Sequence, residues 1–235
     1  MLVYGKNVVN EVIKDENTIK RAFVSKKFND KNIINILNRN NIKIKYLDNY
    51  ELDRMVDGNH QGIVFDVVDY KYSDIDELIK EDDCLLLMLD HLEDPHNFGA
   101  IIRTCEAALV DGIIIPKDRS VSVNSTVMKV STGALTNVKI SQVTNLVNTI
   151  NYLKDKGFWI VGTDMDGTNY RDIDYSGKTC IIIGNEGKGI SNVVAKNCDF
   201  IASIPMRGEI NSLNASVATG IVVFEAIKSR WLYEL

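Results

Sequence analysis

The chain lacks the features that would take it out of an aqueous, reducing compartment. No apolar run reaches the ~18 residues that a bilayer-spanning helix needs, and no basic segment followed by a short apolar one opens it as a secretion signal would. Only 3 prolines and 15 glycines stand in 235 residues, which leaves little length for disordered linkers. Cys84, Cys105, Cys180 and Cys198 are scattered, with no Cys-x-x-Cys pair, so they supply neither a disulfide framework nor a zinc ribbon. They read as small buried hydrophobes. The expectation is a cytoplasmic protein with no membrane contact, long enough for one large domain or two modest ones.

An overall excess of positive charge is also missing: the formal net charge is −5. Its distribution is uneven. Up to Tyr72 the chain carries 12 Lys+Arg against 10 Asp+Glu, and the remainder 15 against 22, so the first third is weakly basic and the rest acidic. Lys20, Arg21, Lys26 and Lys27 cluster around one predicted strand and form the best candidate basic patch.

Residues 1–70 alternate helix and strand. Periodicity predicts a helix over Asn7–Lys14, strands at Arg21–Ser25, Lys43–Leu47 and Gly62–Val68, and helices at Asp30–Asn40 and Tyr50–Asp57. Gly58–Gly62 is a turn cluster, and His60 within it reads as a polar turn residue. Residues 71–82 turn acidic and polar, a linker with one short helix capped by Ser73. From residue 83 onward strands and helices alternate again. Strands are predicted at Leu85–Leu89, Gly112–Pro116, Val138–Gln142, Phe158–Asp164, Cys180–Ile183 and Phe200–Ile204. Helices fall at Phe98–Leu109 with Asn97 as N-cap, near Asn124–Ser131, at Asn145–Lys156 and from about Leu213 to Leu232. Alternation of this kind implies an α/β domain with a parallel sheet covered by helices on both faces.

Two glycine-punctuated turns follow the last two strands: Gly184-Asn185-Glu186-Gly187-Lys188-Gly189, then Ile204 to Gly220 with Ser212, Asn214 and Ser216 at the mouth of an apolar helix. In an open α/β sheet the crevice beyond the strand ends is where ligands bind. The glycine spacing is neither a dinucleotide fingerprint nor a Walker loop, and no Gly-x-Ser-x-Gly elbow surrounds a serine. A second polar loop, Asp90 to Asn97, follows Leu85–Leu89. Its carboxylates and histidines have no metal-ligand spacing, and no metal is expected.

Three ordered blocks then carry a resemblance. Leu89-Asp90, Asp94-Pro95-His96-Asn97-Phe98-Gly99-Ala100 and Arg103-Thr104 form the first. Ile183 to Gly189 forms the second, and Ile204-Pro205-Met206 with Ser212-Leu213-Asn214-Ala215-Ser216 the third. Together they are similar to the motifs of the SpoU (TrmH-like) RNA ribose 2′-O-methyltransferases, and Tyr4-Gly5 through His60-Gln61-Gly62-Ile63 resembles their small substrate-binding domain. The similarity spans nearly the whole chain and is closest to the bacterial 23S rRNA guanosine-2′-O-methyltransferases. Leu109 stands where a glycine is common and Ala215 where valine is usual.

The resemblance implies a substrate-binding domain over 1–70, a linker over 71–82 and a methyltransferase domain over 83–235 with a C-terminal trefoil knot. It also implies S-adenosylmethionine as methyl donor, an RNA substrate and a homodimer formed through the C-terminal domain. On the same ground Gly184, Ile204, Leu213 and Met206 would bind the cofactor, and Asn97, Arg103, Glu186, Ser212 and Asn214 would form the catalytic set. A guanidinium stays protonated in proteins, so Arg103 is read as a positioning and electrostatic group rather than a base. A tRNA substrate and a noncatalytic RNA-binding module are the alternatives.

Overall fold

A computed structural model describes residues 1–5, 9, 12, 13, 19–210 and 212–231, with side chains as far as Lys228. The chain divides into two compact units, Met1–Lys71 with Val123–Gly133, and Tyr72–Ser122 with Ala134–Leu235.

The first unit is built on a four-stranded sheet. Its strands β1 (Leu2–Tyr4), β2 (Ile19–Ser25), β3 (Ile44–Leu47) and β4 (Ile63–Val67) lie in the order β1-β4-β2-β3. β2 runs parallel to β3 and antiparallel to β4. Strand alternation decides which side chains meet. Ala22 and Val24 face a cluster with Ile33 and Leu37 of helix α1 (Lys31–Arg39), whereas Phe23 faces Leu52 of α2 (Asn49–Asp53). α1 starts where Asp30 accepts the Ile33 N–H at 3.3 Å. The helix read over Asn7–Lys14 lies largely outside the described residues. Val9, Val12 and Ile13 are described, and all three are buried in the same cluster. His60 is a polar turn residue, and a buried one. Its Nδ1 accepts the Gly62 N–H (2.9 Å), which leaves Nε2–H to donate to Asp53 Oδ1 (2.9 Å) and closes the Gly58–Gly62 turn. The helix Ser125–Ser131 groups with this unit, where Met128 packs against the α1 cluster.

Residues Tyr72–Asp83 belong to the second unit and are less of a linker than their composition suggested. The Ser73 N–H donates to Ile140 O (2.9 Å), and Leu78 is fully buried. The short turn here, Ile75–Leu78, is capped by Asp74 and not by Ser73: Asp74 accepts the Asp76 N–H while Glu77 accepts the Asp74 N–H. A Cβ at Gly112 would come within 2.3 Å of Leu78 Cγ, so the strand that carries Gly112 passes close under this turn.

The second unit holds a six-stranded, wholly parallel sheet of β5 (Cys84–Leu89), β6 (Gly112–Pro116), β7 (Ile140–Val143), β8 (Trp159–Asn169), β9 (Lys178–Ile183) and β10 (Phe200–Ser203). The strand order is β10-β8-β9-β5-β6-β7. β5 and β9 are central and read as continuous apolar runs because both faces are covered. Cys84, Leu86, Met88, Cys180 and Ile182 pack against Leu146, Ile150 and Leu153, which lie on a helix that starts at Leu146. The alternate residues Leu85, Leu87, Leu89, Ile181 and Ile183 are equally buried on the other face, where the helices Pro95–Ala107 and Ala215–Trp231 pack together. In chain order the helices of this unit are α3 (Pro95–Ala107), α4 (Leu146–Asp155), α5 (Asn192–Ala195) and α6 (Ala215–Trp231).

Two local features bear on the site. α3 begins three residues earlier than its apolar periodicity suggested. Asp94 is the N-cap, accepting the His96 N–H at 2.9 Å, and Pro95 occupies the first helical position, where a missing N–H does no harm. Asn97 is therefore inside the first turn, with its side chain free for other work. β8 makes a detour. Gly162 pairs with Ile201 of β10, yet the next β10 residue, Ala202, pairs with Thr168, so Thr163–Gly167 leave the ladder. Ser203 Oγ donates to Met165 O at 2.6 Å, tying the middle of this excursion to β10.

Candidate active site

The β8 detour and the carboxyl ends of β9 and β10 converge on an open cavity of about 750 Å³. Its wall comes from the β8 detour (Thr163–Asp166), the loop after β9 (Ile183–Gly189), the segment after β10 (Ala202–Met206) and the approach to α6 (Ser212, Leu213, Ala215, Ala218). The four residues proposed to hold a cofactor, Gly184, Ile204, Met206 and Leu213, all line it, as do Glu186 and Ser212 of the proposed catalytic set.

The loop after β9 owes its shape to its glycines. Asn185 and Gly189 exchange two backbone hydrogen bonds (3.0 and 2.9 Å), and Gly189 closes the turn at φ +65°, which L side chains rarely adopt. That closure folds Gly189 back over Gly184, where a Cβ would stand 2.0 Å from the Gly189 carbonyl carbon. Backbone thus occupies the space of a side chain, and the loop presents peptide groups to the cavity. Asn185 holds the turn from inside, its Oδ1 accepting the Gly187 N–H (3.0 Å) and its Nδ2 donating to His91 O (2.8 Å).

Beside the cavity runs a directed relay of amides. Asn214 Oδ1 accepts from the Ser216 N–H (2.9 Å) and the Ser216 hydroxyl (2.6 Å). Asn214 Nδ2 donates to Asn97 Oδ1 (2.9 Å), and Asn97 Nδ2 donates to Glu186 Oε1 (2.9 Å). The ends dictate the sense. A carboxylate only accepts and a backbone N–H only donates, so each amide between them has one orientation that satisfies its neighbours. Asn97 is 9% exposed, so the middle of the relay is largely shielded from water. Glu186 Oε2 has no hydrogen-bond partner among the described residues, which leaves one carboxylate oxygen at the cavity wall for a ligand.

Arg103 stands apart. It is exposed on α3, does not line the cavity, and makes no hydrogen bond or ion pair among the described residues. Six residues beyond Asn97 is about 9 Å along a helix and about 120° around it, so the two side chains leave different faces. Asn97, Glu186 and Asn214 are brought together in one network; Ser212 is brought to the cavity, and Arg103 to neither.

Of the four ionisable residues in the wall, Asp164, Asp166 and Glu186 carry carboxyl groups and Lys188 an ammonium. Asp164 and Asp166, and the detour that carries them, are functional candidates absent from the sequence reading. Their signal was the run Gly162-Thr-Asp-Met-Asp-Gly167, a polar stretch between two glycines inside an otherwise apolar strand. The cysteines take no part in this chemistry. Burial pushes the thiols of Cys84 and Cys198 up to about 11 and those of Cys105 and Cys180 upward as well, so all stay protonated at neutral pH.

A parallel α/β sheet with a glycine-shaped cavity beyond its strand ends defines a ligand-binding α/β enzyme unit. Sequence and structural comparison make it specific. Residues 84–224 match the SpoU rRNA Methylase family, and residues 2–73 match the domain described as RNA 2′-O ribose methyltransferase substrate binding. A Staphylococcus saprophyticus protein assigned to the TrmH family of tRNA/rRNA methyltransferases is 42% identical over 98% of this chain and 96% of its own length. Among solved structures, the SpoU methyltransferase AviRb of Streptomyces viridochromogenes in complex with AdoMet superposes with a TM-score of 0.86 at 25% identity, covering 98% of this chain and 90% of that one. The AdoMet-bound rRNA methyltransferase of Sinorhizobium meliloti gives 0.81 at 25% identity, covering 97% and 87%. The chain belongs to the SpoU family and is an S-adenosylmethionine-dependent RNA methyltransferase.

Proposed function

We propose that the protein transfers the methyl group of S-adenosylmethionine to a ribose 2′-hydroxyl of RNA, with a guanosine of 23S rRNA as its target. The observation that carries the reading is the amide relay from Ser216 through Asn214 and Asn97 to Glu186, which meets the glycine-shaped cavity at a carboxylate with one open oxygen.

The cavity suits the donor. A backbone-walled cleft shaped by Gly184 and Gly189 accepts a flat purine and ribose where side chains would collide. A wall richer in carboxylate than ammonium suits a cationic ligand. Gly184, Ile204, Met206 and Leu213 would hold it. When bound, S-adenosylmethionine supplies an electrophilic methyl group on a sulfonium.

The chain's own work is placement and charge. Holding the acceptor oxygen in line and close accounts for up to ~7–11 kcal/mol in well-oriented systems. Glu186, locked at Oε1 by Asn97, offers Oε2 to the 2′-hydroxyl, and Ser212 adds a hydroxyl at the same wall. Arg103, exposed, outside the cavity of its own chain and with no partner among the described residues, is assigned to an RNA phosphate and, once RNA is bound, to the charge that develops on the hydroxyl oxygen. The trefoil knot and the C-terminal homodimer that the family resemblance implies belong to the same proposal. Val217 and Phe224 on α6 are large, apolar and exposed, as an interface helix would present them. Light scattering that returns a monomer at micromolar concentration would count against the dimer.

RNA binding is assigned to the first unit, but to a different set of cations from the sequence patch. Lys26 is engaged by Asp48 at 2.9 Å. Strand register instead puts Phe23 beside Lys45, and the same register carried two residues back from there brings Lys43 toward Arg21 at the β2–β3 edge. All three cations are exposed, and the Arg21 guanidinium lies over the Phe23 ring at 5.9 Å. Exposed cations in a row along one strand edge suit a phosphate backbone, while Phe23 itself is buried against Leu52 and serves as their footing.

A tRNA ribose is the second reading, favoured by the joint tRNA/rRNA description of the Staphylococcus relative. The experiment is methylation of undermethylated total RNA with labelled S-adenosylmethionine, followed by nuclease mapping. Label at a 2′-O-methylguanosine of 23S rRNA is expected. Label confined to tRNA, or to a base, would overturn the target, and no label in any RNA would favour a noncatalytic binding module.

A further inference from the structure

We infer that Asp90 and His91 form a positioning pair that sets the conformation of the loop after β9. The inference rests on the reading of that loop as the cofactor cradle.

Both anchors of the loop trace to these two consecutive residues. Asp90 is 2% exposed and lies just beyond β5. Its N–H donates to Ile183 O (2.8 Å), its Oδ2 accepts the Ser191 N–H (2.6 Å), and its Oδ1 faces His91 Nδ1 (2.6 Å). Ile183 and Ser191 bracket Gly184–Ile190, so one buried carboxylate and its backbone reach both flanks of the loop. A buried carboxylate needs donors, and the loop supplies one of them. Asp90 has no helix to cap in its own segment, because Asp94 caps α3.

His91 completes the pair. Its backbone sits at φ +56°, a left-handed conformation uncommon outside glycine, which histidine takes more readily than most side chains and β-branched residues do not. That conformation aims the His91 carbonyl at Asn185 Nδ2 (2.8 Å), the same asparagine that holds the loop's turn through Gly187. The ring, its Nδ1–H donating to Asp90, ties the left-handed residue back to the buried carboxylate. Neither side chain lines the cavity. They act through Ser191 and Asn185, so both are positioning residues.

The pattern across variants tests this. Asp90→Ala leaves the Ser191 N–H and the imidazole without an acceptor. Asp90→Asn can keep both bonds, since its oxygen accepts from Ser191 and its NH2 can donate to Nδ1 of the other imidazole tautomer. His91→Val forbids the left-handed backbone, whereas His91→Gly permits it. We expect Asp90→Ala and His91→Val to raise the Kd for S-adenosylhomocysteine by about tenfold or more, and to speed hydrogen exchange of the Gly189 and Ser191 amides in the free protein. Asp90→Asn should stay within about threefold, and His91→Gly, which keeps the backbone but loses the ring's N–H to Asp90, should fall between Asp90→Asn and His91→Val. At saturating donor the alanine and valine variants should recover most of their turnover, splitting KM from kcat. Unchanged exchange in Asp90→Ala, or His91→Gly as damaging as His91→Val, overturns the pair. The half-exposed His91 variants decide the matter if Asp90→Ala does not fold. Protection of the Gly184–Ile190 amides of the unmodified protein by S-adenosylhomocysteine is the separate check on the cradle reading. Its absence overturns that reading and the pair with it, whereas protection without any effect of the variants overturns the pair alone.

Discussion

Replacing Gly184 by alanine puts a methyl group 2.0 Å from the Gly189 carbonyl carbon, 2.3 Å from Ile190 N and 2.4 Å from Gly189 O. All three atoms are backbone, so no rotamer change relieves the overlap, and the loop must open. What opens first is the closure between Asn185 and Gly189, two hydrogen bonds of 3.0 and 2.9 Å. At about 0.5–1.5 kcal/mol each, their loss amounts to about 1–3 kcal/mol. If the closed loop is the binding form, that energy comes off cofactor affinity, and each 1.4 kcal/mol is tenfold. Gly184→Ala should therefore raise the Kd for S-adenosylhomocysteine by about 5- to 150-fold, read by titration calorimetry. The sheet below is untouched, since Ile181, Ile182 and Ile183 keep their partners on β5, so circular dichroism should be unchanged. A folded Gly184→Ala protein with ordinary affinity would show that the cavity is not the cradle.

Arg103→Ala should bind S-adenosylhomocysteine normally, since Arg103 touches neither the cavity nor the relay, while single-turnover methylation falls ~100-fold or more. Arg103→Lys should recover little, because a point charge cannot replace a planar fork; near-normal turnover in either would remove Arg103 from the mechanism. Leu109 ends α3 at φ +53° and 78% exposed, between the Leu109 N–H···Glu106 O and Val110 N–H···Cys105 O bonds that glycine usually serves. Leu109→Gly should relieve the left-handed strain at some cost in unfolded-state entropy, a net gain of about 0.5–1 kcal/mol and a rise in Tm of about 1–4 °C; a lower Tm would mean that the exposed leucine has a contact elsewhere. Alanine at Arg21, Lys43 or Lys45 should each shallow the log–log salt dependence of RNA binding by ~0.7 on single strands. Lys26→Ala should change it less, because Asp48 already holds that ammonium, and an equal effect would shift the RNA face to the other end of β2.

Much of the architecture was legible because the buried strands carry it. Cys84–Leu89, Gly112–Pro116 and Lys178–Ile183 are apolar enough for a central parallel strand, and the flanking helices have clear periods. What stayed hidden depended on partners distant in sequence. Asn97 looks like an N-cap because asparagine so often is one. Only the chain's return through Glu186 and Asn214, 89 and 117 residues away, shows that it is the middle of a relay. The same holds for 71–82, whose polarity suggested a linker while Leu78 was reaching the core beneath Gly112. Lys26 looks like part of the Lys20–Lys27 patch in sequence, but Asp48 engages it, and the register with β3 brings Lys45 to the same strand pair instead. The Asp90–His91 pair left no periodic trace, since a left-handed histidine is recognisable only from its backbone.

The detour of β8 also bears on how such an enzyme can diverge. Ile201 and Ala202 are consecutive on β10, yet their β8 partners, Gly162 and Thr168, are six positions apart, so the five residues between them are absent from the hydrogen-bonding ladder. Residues added, removed or exchanged there should leave the strand register in place as long as the two ties to β10 survive: Ser203 Oγ on Met165 O in the middle, and Gly167 at the far end, where a Cβ would meet Ile201 O at 2.4 Å. Four of the five residues face the cavity. Selection on what this wall touches is thereby uncoupled from selection on folding, and homologues with different substrates should vary in length and charge between the counterparts of Gly162 and Thr168 while the flanking strands stay in step.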